Sequence, residues 1–169
     1  MQKFILWFLI FSISKVYSQN EFAATAFYND FKKIIADAQE GFPKYKGSKI
    51  RGTIADEYRV KLLLPLADSG RIVSPLAGNP FAEYYFQTTK TKKEIDQRSV
   101  NLREAVLTAY GKQLYARTET STVKESIFSN TVYYANPDDN LSTQAIFKSR
   151  IYNFNGRYHL TFQVFGKEE

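Results

Sequence analysis

Asn155-Gly156 lies between two runs of alternating apolar and polar residues, Thr143–Phe154 and Arg157–Phe165. No other feature of the chain narrows its fold so far. A two-residue Asn-Gly loop selects a tight hairpin turn whose backbone twist matches that of the flanking strands. The turn fixes the register. Phe154 faces Arg157, and counting outward Phe147 faces Val164, Ser149 faces Phe162, Ile151 faces Leu160 and Asn153 faces Tyr158. That face is mostly apolar. The opposite face pairs Lys148 with Gln163, Arg150 with Thr161 and Tyr152 with His159, and is polar. One apolar and one polar face is the signature of an antiparallel sheet covered on one side.

The cover is legible upstream. Between Glu21 and Glu40, the residues Phe27, Phe31, Ile34, Ala38 and Phe42 recur at helical spacing, while Asp30, Lys33, Asp37 and Glu40 fall off the stripe. Gly41 suits the left-handed residue that ends a helix, Phe42 can fold back on the last turn, and Pro43 blocks continuation. Glu94–Arg117 reads as a second helix, with Val100, Arg103, Leu107, Tyr110 and Leu114 on one face, widened by Leu102, Val106 and Ala109. Gly111 weakens it by about 1 kcal/mol. Strands are expected at Tyr58–Leu64, with Tyr58, Val60, Leu62 and Leu64 on one face, at Arg71–Ser74, at Phe81–Thr89 and at Ile127–Ala135. Asn136–Asn140 has turn composition. The expected fold is therefore α+β: an antiparallel sheet of about five strands with two amphipathic helices on one face, in the order helix, two or three strands, helix, three strands.

The first 18 residues read differently. Met1-Gln2-Lys3 is short and positive, Phe4–Ser14 is an apolar run of eleven residues, and small or β-branched residues stand at Val16 and Ser18. This is the three-part layout of a secretory leader. A membrane-spanning helix needs about 20 apolar residues, so cleavage after Ser18 is expected. Residues 19–169 then form one α+β domain in an exported chain, periplasmic or secreted. Losing Lys3 and Lys15 lowers the formal charge from +6 to +4. That mild surplus favours solubility and does not demand nucleic acid, whose binders concentrate charge on one element. The chain has no cysteine, hence neither disulfide staples nor a lipoprotein anchor, and its core must stabilise it alone.

No catalytic, metal or cofactor constellation stands out. His159 is the one histidine, and without cysteine it cannot complete a familiar zinc set. No G-x-S-x-G nucleophile elbow occurs. Asp138-Asp139-Asn140 lacks the spacing of a calcium loop, and Asn140-Leu141-Ser142 matches the glycosylation triplet. Asp56 and Glu57 are adjacent and on a strand would point apart. Glu83 sits among aromatics and is expected at a wet position of a half-buried strand. Two weak ligand candidates survive. Lys44, Lys46, Lys49 and Arg51, with Gly47 and Gly52, form a basic segment read as a loop that attracts anions, with Lys90, Lys92 and Lys93 as further cations. Tyr84, Tyr133 and Tyr152 are expected to face outward, where tyrosine favours sugar or protein contacts. The functional expectation is a non-enzymatic binding domain acting on another exported or envelope protein. Its alternatives are a small-ligand or anion binder and a hydrolase using Glu83, His159 or a serine in a cleft formed by the sheet.

Overall fold

The first helix, α1 (Thr25–Ala38), stops where its sequence says it must. Gly41 and Phe42 both adopt left-handed backbone, at φ 78° and 68°. Asp37 secures the exit. Expected off the apolar stripe, it is instead buried, and its carboxylate accepts the backbone N–H groups of Lys44 (2.9 Å) and Tyr45 (2.8 Å). A charge is buried here because donors of the following segment converge on it. The stripe itself holds, with Phe27, Phe31, Ile34, Ala38 and Phe42 all at 3% exposure or less.

The computed structural model describes residues 20–52, 54–111, 114–123, 127–135 and 146–167; for residues 51, 115, 117, 120–123 and 127–135 it describes the backbone alone. The leader and the Asn136–Asn140 turn lie outside the described residues. After α1 come β1 (Lys46–Gly52), β2 (Ala55–Val60), β3 (Ala67–Pro75) and β4 (Phe81–Thr89), then α2 (Lys92–Tyr110), then β5 (Tyr115–Val123), β6 (Ile127–Ala135), β7 (Phe147–Phe154) and β8 (Arg157–Phe165). All strand pairs are antiparallel, in the order β1-β2-β3-β4-β8-β7-β6-β5. Two four-stranded meanders, each preceded by a helix, thus join along one seam between β4 and β8. The α+β class is as expected, and the described residues form eight strands rather than about five.

The additional strands come from two misread segments. Lys46–Gly52, expected as a loop, is the edge strand β1, with register shifts between Lys46 and Lys49 and between Lys49 and Arg51. Pairing with β2 overrides its glycine- and lysine-rich composition, which is what a protected sheet edge looks like. The second helix ends at Tyr110 rather than Arg117. Gly111 takes φ 69° and caps it, and the Thr-rich stretch beyond forms β5. The buried face of α2 is Ile95, Asn101, Leu102, Ala105, Val106 and Ala109, while Val100, expected inside, is 47% exposed.

The hairpin register is as expected from Phe147↔Val164 to Phe154↔Arg157. Its apolar face closes on α1. Phe31 lies 5.3 Å from Phe147 and 5.9 Å from Phe162, and Phe27 stacks on Phe31 at 5.7 Å. Each fully buried phenylalanine contributes about 1.5–3 kcal/mol of transfer free energy. The chain end is locked by Gly166, whose N–H donates to the Pro80 carbonyl at 2.7 Å; a Cβ there would come within 2.8 Å of the Phe42 ring.

Candidate functional site

Alternation along the strands sends Glu57, Arg59, Arg71, Glu83, Tyr85, Lys148, Arg150, Tyr152, His159, Thr161 and Gln163 to the face opposite the helices. Glu83, at the β4–β8 seam, is its centre. One carboxylate oxygen, Oε2, accepts from Arg71 Nε (2.9 Å), Arg71 Nη2 (2.7 Å) and the Tyr85 hydroxyl; the other, Oε1, accepts from Gln163 Nε2 (2.7 Å). Arg71 also reaches Glu57 Oε2 at 3.0 Å. Glu83 is 7% exposed, although the helices lie on the other side. The expectation of a wet position is corrected. Neighbouring side chains, rather than an added layer, remove this carboxylate from water, and four charge-assisted donors offset its desolvation.

The network perturbs its members. Burial first, then the hydrogen bond to Glu83, raise the Tyr85 pKa well above the usual phenol value. Burial alone would lower the Arg71 pKa; the hydrogen bond and charge of Glu83 outweigh it and raise it. Lys148 moves down, through burial and then the nearby Arg150 charge. Tyr152 moves up, through burial and then the Glu83 charge.

Beside the network lies an aromatic shelf. The Tyr152 and His159 rings stack at 4.8 Å with 6° between planes, Phe154 approaches His159 edge-on at 6.4 Å, and the Arg150 guanidinium sits 5.3 Å from the Tyr152 ring centre. Phe154 is 54% exposed. The cross-strand pair Tyr152↔His159 was legible from the Asn-Gly turn; the addition of Phe154, two residues along the same face, was available from the same alternation.

The other site expectations fare unevenly. Tyr84 does not face outward. Its side chain is fully buried on the helix side, its hydroxyl donating to the Leu62 carbonyl at 3.4 Å, because Glu83 and Tyr85 take the outward positions of β4. Tyr152 does face outward. The side chains of Tyr133 and Arg51 lie outside the described residues. Lys49 is paired with Asp56 at 2.7 Å, Lys46 lies 4.7 Å over the Tyr58 ring, and Lys44 stands at the start of the segment. The basic segment is therefore a strand with its charges partly engaged rather than an open cradle. Lys92 pairs with Asp96 at 2.6 Å.

Concavities among the described residues include the following three. A polar groove of about 820 Å³ between the end of β4 and the start of α2 is bridged by Arg98, which binds Glu21 (2.7 Å) and the Gln87 carbonyl (2.9 Å). A cavity of about 250 Å³ lies at the edge of the helix–sheet interface, against Ile35, Tyr110 and Phe147; it is smaller than the ~300–1,000 Å³ of ligand sites. A third, about 360 Å³, lies under the β3–β4 loop beside Lys46, Tyr58 and Ser74. Among the described residues no group of three His, Cys, Asp or Glu could hold a metal ion, and no helix is long and apolar enough to cross a membrane.

Compared with known proteins, the chain matches no family model, no curated protein and no solved structure.

Proposed function

We propose that this chain is an exported, non-enzymatic binding domain whose open sheet face docks an acidic segment of another exported or envelope protein. The observation that carries the reading is the closed shell around Glu83. A carboxylate whose two oxygens already hold four donors is poorly placed to act as nucleophile or general base, but it fixes the side chains around it. Side chains immobilised before binding lower the entropy lost on association.

The surrounding chemistry sets the partner's class. Arg59, Lys148 and Arg150 share the face with the Tyr152–His159–Phe154 shelf, and arginine and tyrosine carry much of the energy at protein interfaces. Burial is the first cause of the lowered Lys148 pKa and the nearby Arg150 charge the second; an incoming carboxylate would relieve the second. The hydrolase reading lacks a geometric basis: His159 is stacked on Tyr152 and has no carboxylate partner among the described residues.

Photo-crosslinking from position 152 in living cells tests this. The expected result is a discrete adduct with another protein, absent when the probe replaces Val100 on α2 and lost on Arg150→Glu. Equal labelling from both positions, or none from position 152, removes the reading.

A further inference from the structure

The polar groove of about 820 Å³ between the end of β4 and the start of α2 has walls that hold one another in place. The β4–β8 ladder slips between Phe86 and Thr89, so the end of β4 leaves the regular alternation of the sheet. Arg98 braces one wall. It donates to both carboxylate oxygens of Glu21 (2.7 and 3.4 Å) and to the Gln87 carbonyl (2.9 Å). Thr91 caps the first turn of α2 by accepting the Glu94 N–H at 3.3 Å. A volume within the ~300–1,000 Å³ of ligand sites is therefore built before any ligand arrives.

One polar group in that wall is left over. Asn101 lines the groove and is 7% exposed. Its backbone carbonyl accepts from Asn20 Nδ2 and its side-chain oxygen from Gln97 Nε2, both at 2.9 Å. Its own Nδ2 has no partner among the described residues. Buried polar groups are normally satisfied, so unused donors at a groove wall point to an acceptor that enters the groove. Gln87, Thr88 and Gln97 line the same space with further amides and a hydroxyl, and no aromatic ring lines it. Affinity there must come from hydrogen bonds and charge. The charged lining is Lys90, Arg98 and Arg157 against Glu21 and Glu94. Glu21 already neutralises Arg98, which leaves Lys90 and Arg157 one positive charge in surplus over Glu94.

We infer that this groove binds a short acidic saccharide. Sugar hydroxyls both donate and accept, as do the amides and hydroxyls of the walls. The carboxylate of the sugar lies toward Lys90 and Arg157, near the N-terminal end of α2, where negative charge is favoured. A neutral sugar would leave the surplus cation unanswered. A simple carboxylic acid would leave most of the amides and hydroxyls unused, and a planar base has nothing to stack on. The groove shares no residue with the Glu83 network, so this inference does not depend on the protein–protein reading.

Isothermal titration of the protein, purified as cells leave it, with trigalacturonic acid tests the inference, with maltotriose and citrate as the neutral and the sugar-free comparisons. Trigalacturonic acid should bind saturably and about tenfold tighter than either. Asn101→Ala and Arg157→Glu should each weaken it about tenfold, the effect of losing one hydrogen bond to a charged or buried partner. Lys167→Glu makes the same charge change on an exposed residue beyond the other end of the β4–β8 seam, and should change nothing. Arg157 is itself exposed, so its variant folds and decides the matter alone if Asn101→Ala lowers the melting temperature. No binding of trigalacturonic acid, equal binding of maltotriose or citrate, or unchanged binding by the Arg157→Glu variant overturns the inference.

Discussion

Along β8, Leu160, Phe162 and Val164 point under the helices while His159, Thr161 and Gln163 point away, yet burial does not follow the cover. Phe162 is 1% exposed beneath α1, and Thr161 is 4% exposed with no helix over it. On the helix side, water is excluded by non-directional packing of rings. On the other side it is excluded by side chains that must meet donor to acceptor, with Glu83 at the centre. The first arrangement tolerates any apolar group of suitable volume. The second tolerates only groups that leave no buried partner unsatisfied.

The largest effect that sharpens this contrast is expected on the helix side. Phe162→Ala should cost about 3–5 kcal/mol in urea unfolding, since the ring's removal leaves a cavity against Phe31 and Phe147. A loss below 1 kcal/mol would mean that α1 collapses into the space and that the packing is looser than it looks.

Glu83→Leu asks whether the open face is merely a second apolar core. It should destabilise by about 2 kcal/mol, because Arg71 and Gln163 lose their acceptor. The estimate lies below that for a fully buried pair because the Arg71 side chain is 30% exposed and also bonds Glu57. A gain in stability would erase the distinction between the faces.

Tyr85→Phe should cost about 1–2 kcal/mol through its hydrogen bond to a carboxylate, and it also carries a pH signature. The folded-state pKa of Tyr85 is raised, so the stability it contributes is fully present below the unfolded value of about 10. That contribution is lost as pH rises past it, because the unfolded chain releases a proton that the folded chain retains. Unfolding free energy measured against pH should therefore fall more steeply above about pH 10 in the parent than in the variant. Parallel curves would show that the network does not hold the phenol.

The smallest effect belongs to the edge. Lys49 and Asp56 pair in the open at 2.7 Å, with 53% and 41% of their side chains exposed. Asp56→Asn should leave the melting temperature where it was, as surface pairs generally contribute little.

How much of this could be read beforehand depended on whether the deciding interaction was local. The β7–β8 register, the stripe of α1 and the stop at Gly41 follow from turn chemistry and periodicity over a few residues, and they hold. So does the outward position of Tyr152. Lys46–Gly52 was misread because its strand character comes from β2, not from its own residues. The burial of Glu83 depends on Gln163, 80 positions away, and no spacing rule reaches that far. Tyr84 was misplaced by judging a tyrosine on its chemistry when the alternation Ala82, Tyr84, Phe86 already assigned it inward.

The seam between β4 and β8 governs the order of events as the polypeptide is made. One edge of β4 meets β3 early, but the other, running past Phe81, Glu83 and Tyr85, stays bare until β8, made after β5, β6 and β7, reaches it. During that interval a long aromatic edge is open to pairing with any other strand, a recognised aggregation hazard. The domain therefore cannot close until β8 has been made and paired with β4.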